Sequence, residues 1–188
     1  STIAWELLED VSVDTGYAHG YDDWKFTNYG STIAPKGHCA GQSVTAMWYY
    51  YEKKLGAQER GLYGRYDNND QGMGTIDFQW DDSWSYRFAS VVQKALIDWD
   101  HQSRAFLKSM GQASDHLTWN AFAYAMQLTG EPQYAAIYSD SGGHAIVAYK
   151  IEDGKIYVAD PNYPGVSGRA LRYENGAFLP YYSGANAA

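Results

Sequence analysis

One thiol is available to this 188-residue chain, Cys39, and it stands in Gly37-His38-Cys39-Ala40-Gly41-Gln42-Ser43, where a loop gives way to a helical pattern. A sulfur at a helix N-terminus faces unpaired backbone N–H groups and the positive end of the helix dipole. Both favour thiolate, the nucleophilic form. The glycines at 37 and 41 leave room beside it for a substrate backbone. Such a nucleophile needs an imidazole to hold the ion pair and return a proton to the leaving group, and a third group to orient that imidazole. His144, after Gly142-Gly143 at the start of an apolar run, and Asp160, just before Pro161, stand where these two roles require them.

The remaining candidates are weaker. Consecutive residues at a helix start diverge, so His38 is expected to line the cleft or cap the loop rather than act as the base. His19, His101 and His116 read as surface or structural, and no two histidines are four apart, so a helical zinc-hydrolase pair is absent. A single cysteine excludes an internal disulfide and a cysteine-rich zinc site. Asp67-x-Asn69-x-Gln71-Gly72 begins like a calcium loop, but its twelfth position is Phe78, so it reads as a solvated polar loop. No metal or organic cofactor is implied.

Helices must carry the sulfur, and strands the other two groups. Val44, Met47, Trp48, Tyr51 and Leu55 recur at helical spacing from Cys39, with Gly56 as a stop. Trp48 and Tyr51 are expected in the core, leaving Tyr49 or Tyr50 to the cleft or surface. Residues 56–86 read as loop, with Trp80 and Trp84 as a possible substrate wall or as packing. A second helix is expected on Phe88, Val91, Val92, Ala95, Leu96 and Trp99, running on towards Met110. A third follows Ser114-Asp115, with Leu117, Ala121, Tyr124, Ala125 and Leu128 on its buried face and Gly130 at its end. Beyond Pro132 the pattern turns to strands at 133–139, 144–151, 155–160, 169–174 and, after an Asn175-Gly176 turn, 177–182. Helices first and strands second define an α+β chain: an irregular segment 1–36, a helical half 37–130 and a sheet half 131–188 in one domain, with a cleft between the halves.

Register decides whether His144 and Asp160 meet. A two-residue turn at Asp153-Gly154 puts them on opposite faces of the hairpin. A three-residue loop, Glu152-Asp153-Gly154, pairs Ile151 with Lys155, Ala148 with Val158 and Ile146 with Asp160, and brings His144 onto the same face as Asp160. The three-residue loop is therefore expected. Asn162, opposite His144 in that register, is the rival orienting group, but Pro161 donates no ladder bond and turns the chain away there.

Fourteen basic against 22 acidic residues give a net charge of −8, which repels phosphate backbones and argues against nucleic acid or an anionic membrane as partner. No apolar run reaches the roughly 20 residues of a membrane span. The opening STIAWELLED shows no basic segment ahead of an apolar stretch, and a composition rich in Tyr, Trp and Gly fits an exported or cell-envelope bacterial protein.

A Gly-x-Cys-x-Gly-x-Ser helix start, a strand opening Gly-His-Ala-x-Val and a hairpin ending Asp-Pro-Asn together resemble the papain-like cysteine peptidase superfamily, in the order Cys39, His144, Asp160. The segment HAIVAYKIEDGKIYVADPNYPG is also similar to the His–Asp region of bacteriocin-processing peptidases and transglutaminase-like domains. The resemblance implies a nucleophile helix packed on an antiparallel sheet, a Cys-His-Asp triad, and hydrolysis of a peptide or protein through an acyl-enzyme. Glutaminyl acyl transfer or deamidation, and a catalytically silent binding domain, are its alternatives. The papain pattern has a Gln before the cysteine to steady the oxyanion, and residues 31–38 contain none. Asn28 is expected to replace it, with Gln42 as a second candidate and the Cys39 backbone N–H as the other donor.

Overall fold

The computed structural model describes residues 10–66, 81, 83–97, 113–139 and 142–183. The expected helical run from 98 towards Met110, the polar loop from Asp67, Trp80 and His101 lie outside them. Among the described residues the order is β1 (Val13–Asp14), α1 (Cys39–Tyr49), α2 (Trp84–Ile97), α3 (Asp115–Thr129), β2 (Gln133–Ser139), β3 (Gly142–Glu152), β4 (Lys155–Ala159), β5 (Ala170–Glu174) and β6 (Ala177–Phe178). The class is mixed α+β, with all strand pairings antiparallel. Long β3 is the hub: β2 and the short β1 share one of its edges, β4 takes the other, and β5 and β6 follow outward.

The β3–β4 connection corrects the expected loop. Glu152 pairs with Lys155 across a two-residue Asp153-Gly154 turn, both residues having positive φ (51° and 68°), the geometry an Asp-Gly pair adopts in tight hairpins. Ile151 therefore faces Ile156, not Lys155. A β-bulge between Ala148 and Lys150 then inserts Tyr149 and shifts the register by one, so that Ala148 pairs with Val158 and Val147 with Ala159. The bulged residue is held from the neighbouring strand, where the Thr15 backbone N–H and hydroxyl donate to the Tyr149 carbonyl at 3.2 and 2.7 Å. Turn and bulge cancel, and His144 and Asp160 end on one face. The last strand is also shorter than expected. It stops at Phe178, because Pro180 has no N–H for the ladder, and residues 179–183 fold back towards Asp160.

The helices occupy their expected positions but bury other faces. On α3, capped by the Ser114 hydroxyl and closed by left-handed Gly130, the buried side chains are Trp119, Asn120, Ala123 and Met126. Leu117, Tyr124 and Leu128 are exposed. Trp119 is the largest surface available, and it stacks on Tyr173 at 4.7 Å over the core formed by Ile146, Ile151, Ile156 and Val158. On α1 the buried set is Gly41, Gln42, Ser43, Thr45, Ala46 and Tyr49, while Trp48 and Leu55 are exposed. The helix continues as wider π-type turns through Tyr50–Gly56, which rotates its end and buries Tyr50. Helix α2 begins at Trp84, earlier than expected, where the Ser83 hydroxyl accepts from the Tyr86 N–H at 3.1 Å. Phe88 and Val91 on it face outward, and Trp84 joins Trp24, Trp48 and Phe88 around an aromatic pocket of about 290 Å³.

Small residues bury on α1 because α2 crosses there. A Cβ at Gly41 would lie 2.0 Å from the Ala89 carbonyl oxygen, and Gly41 N–H donates to the Gln93 side chain at 2.8 Å. Gly41→Ala is expected to cost about 2–3 kcal/mol in urea unfolding, since backbone rather than a movable side chain blocks the methyl.

Candidate active site

Cys39 is the first residue of α1, and its cap residue, His38, offers no side-chain cap. No acidic side chain lies in the first turn to neutralise the positive helix end. Pairing of β4 with β3 ends at Val147–Ala159, which leaves the β3 edge open at 144–146. There the His144 ring, the Ala145 N–H and the Ala40 N–H act on the sulfur as donors that favour its charged form. Burial pushes the Cys39 thiol up, but these donors and the imidazolium charge outweigh it, and the thiol lies below its ordinary value.

His144 Nε2 is 2.7 Å from Asp160 Oδ1, which leaves Nδ1 for the sulfur. Burial alone would pull the imidazole down; the hydrogen bonds and negative charges of Asp160 and Cys39 raise it to about 9. Asp160 has a fully buried side chain. Its Oδ1 also accepts from the Asn162 N–H at 2.9 Å, and Oδ2 accepts from the hydroxyls of Tyr181 and Ser183, each at 2.7 Å. Burial pushes this carboxyl up, and the His144 contact and the two hydroxyls bring it down to about 2. Arg169 stands behind, its Nε 3.6 Å from Oδ2 and donating to the Tyr181 oxygen at 2.7 Å. Cys39, His144 and Asp160 thus stand in one line of interacting groups.

The other expected residues fall into different places. His38 does not line the cleft or cap the helix. It is buried edge-on to the Phe26 and Tyr86 rings, at 5.6 and 4.4 Å, and burial pulls its imidazole down to about 4. An uncharged ring suits that aromatic setting, and the apolar wall made by Phe26 and Tyr86 is what claims it. Gln42 is buried too, and its amide donates to the Phe26 carbonyl at 2.8 Å, a tie between helix and loop. Asn28 accepts from the His38 N–H at 2.5 Å, one residue from Cys39, and donates to Asn162 Oδ1 at 3.1 Å. Asn162 in turn donates to the Ser183 hydroxyl at 2.8 Å, while Asp160, not Asn162, holds the imidazole. His19 pairs with Asp23 at 2.6 Å, and His116 contacts the Tyr173 hydroxyl at 3.1 Å; both are structural.

Four residues at the site carry no signal in the sequence. Tyr181, Ser183 and Arg169 stand at no recognisable spacing from Asp160, and the expected strand to 182 would have hidden the fold-back. Tyr134, on β2 opposite Val147, lies close enough to Cys39 that burial and the thiolate charge push its hydroxyl up to about 12. Among the described residues no three His, Cys, Asp or Glu side chains group as metal ligands, and no helix is long and apolar enough to cross a membrane.

No protein-family model matches the chain, and neither does any curated protein or solved structure.

Proposed function

We propose that the protein is a papain-like thiol hydrolase, with a peptide bond as the bond broken. The observation that carries this reading is the unbroken contact line from the Cys39 sulfur through the His144 ring to the buried Asp160 carboxylate. Cys39 Sγ, as thiolate, adds to the carbonyl carbon and the carbonyl π pair moves to oxygen. The Cys39 N–H and the Asn28 amide hydrogen not given to Asn162 are the donors for that oxyanion. As the C–N bond breaks, His144 gives its Nδ1 proton to the departing amine. The thioester left on Cys39 is then attacked by water, from which His144 takes a proton, and the free carboxylic acid leaves. Asp160 keeps Nε2 engaged throughout, so that Nδ1 faces the reacting atoms.

Mass spectrometry of mixed peptides incubated with the protein, with Cys39→Ala as control, tests the reading. Cleaved peptides that disappear in Cys39→Ala are the expected result. Glutamine products heavier by about 1 Da, or amine-linked products, would indicate deamidation or acyl transfer by the same triad, and unchanged peptides a binding domain. Cleavage should fall off above about pH 9, where His144 loses the proton it must deliver.

A further inference from the structure

Asp160 is joined to the nucleophile by two routes, and only the one through His144 belongs to the triad. The second begins beside Cys39 and runs in one direction. The His38 N–H donates to Asn28 Oδ1, the Asn28 amide to Asn162 Oδ1, the Asn162 amide to Ser183 Oγ, and the Ser183 hydroxyl to Asp160 Oδ2. Every link lies between 2.5 and 3.1 Å. Each carboxamide accepts with its oxygen and donates with its nitrogen, so each bond polarises the next in the same sense. A parallel arm arrives from Arg169, whose guanidinium lies 3.8 Å from the Tyr163 ring centroid and donates to Tyr181, which donates to the same Oδ2.

We propose that Ser183, Tyr181 and Asn162 are positioning residues that lock Asp160 Oδ2, so that Oδ1 alone is offered to His144, and that they couple the placement of the acid to the loop that carries Cys39. The assignment of Asp160 as the orienting acid rests on the thiol-hydrolase reading; the lock itself rests on the hydrogen bonds. Its parts come from four stretches of chain, residues 28–38, 160–162, 169 and 181–183, and nothing but the folded state brings them together. Hydroxyl donors suit this task because each rotates to aim its hydrogen at the carboxylate while accepting from behind. Ser183 accepts from Asn162, and Tyr181 accepts from Arg169.

The test compares Ser183→Ala, Tyr181→Phe and the conservative Ser183→Thr with the wild type. The readouts are the titration of the Asp160 carboxyl carbon by NMR and the pH profile of Cys39 alkylation by iodoacetamide, with thermal melting to report folding. Ser183→Ala and Tyr181→Phe should each raise the Asp160 midpoint by about one pH unit, because a carboxylate loses a donor. The acid edge of fast alkylation should move up with it, and Ser183→Thr should keep both near the wild type. An Asp160 titration unchanged in the two deletion variants, or a Ser183→Thr variant that behaves like Ser183→Ala, overturns the proposal. Tyr181→Phe, which keeps the ring and removes one oxygen, decides the matter if Ser183→Ala does not fold. A wild-type Cys39 no more reactive than free cysteine would overturn the thiol-hydrolase reading instead, and the Asp160 titration would still judge the lock.

Discussion

At pH 6 iodoacetamide is expected to alkylate Cys39 faster than it alkylates a free cysteine, of which only about 0.3% is thiolate at that pH. His144→Ala should slow the reaction by about 10- to 100-fold. The expectation has a physical asymmetry behind it. Burial by itself pushes the Cys39 thiol up, and the net lowering comes from the imidazole together with the Ala145 and Ala40 N–H groups. Without the imidazole, the buried sulfur should become less reactive than cysteine in water, not merely ordinary. A rate in His144→Ala equal to that of the wild type would show that the two groups form no ion pair.

Asp160→Asn is expected to destabilise the protein by about 3–5 kcal/mol at pH 7, because a buried charge is removed from donors built to serve it. Four hydrogen-bond donors converge on the carboxylate, and the amide NH2 of asparagine would have to face at least one of them. The effect should depend on pH in a defined direction. Asp160 lies at about 2, below the 3.8 of an ordinary aspartate, so its ionised form stabilises the fold in full above about pH 4. That contribution, about 2 kcal/mol, is lost as the pH falls through about 2. Urea unfolding of both proteins from pH 7 down to 2 should show the gap between them narrowing across that acid window. A constant gap would mean that Asp160 is not held ionised by its surroundings.

The sequence marked the elements well and their faces poorly. The starts of α1 and α3 and the stop of α3 are legible because they depend on single residues with local jobs, Cys39 after a loop, Ser114 as a cap and Gly130 in the left-handed region, whereas the start of α2 at Trp84 is not. Faces were not, since the apolar stripes chosen on α1, α2 and α3 competed with stripes that bury better for other reasons. Trp119 outweighs Leu117 and Leu128 in area, and Gly41, Ser43 and Ala46 permit a close approach that Trp48 would block. Polar residues enter the core here because aromatic hydroxyls and indoles satisfy them or are satisfied by them, as where Trp24 donates to Thr45 and Tyr50 to the Thr15 carbonyl.

The hairpin holds a subtler lesson. Asp153-Gly154 is a strong two-residue turn signal, and that turn forms. A three-residue loop, with Gly154 at its left-handed position, aligns His144 with Asp160 directly, but the alignment is reached instead through Tyr149, a residue with no local mark of a bulge. A bulge depends on what lies across the sheet, here Thr15, and such partners are invisible in a window of neighbouring residues. The groups around Asp160 were hidden for a similar reason, since Tyr181 and Ser183 approach it only after the chain leaves the sheet at Pro180.

That fold-back has a consequence for biogenesis. During synthesis the sulfur emerges from the ribosome more than a hundred residues ahead of His144, and residues 181–183 come later still. A growing polypeptide therefore carries a dormant thiol, and the acid receives its last two hydroxyls only when translation has passed Ser183. The three groups of the site and the hydroxyls behind the acid therefore come together only as the last part of the chain is made.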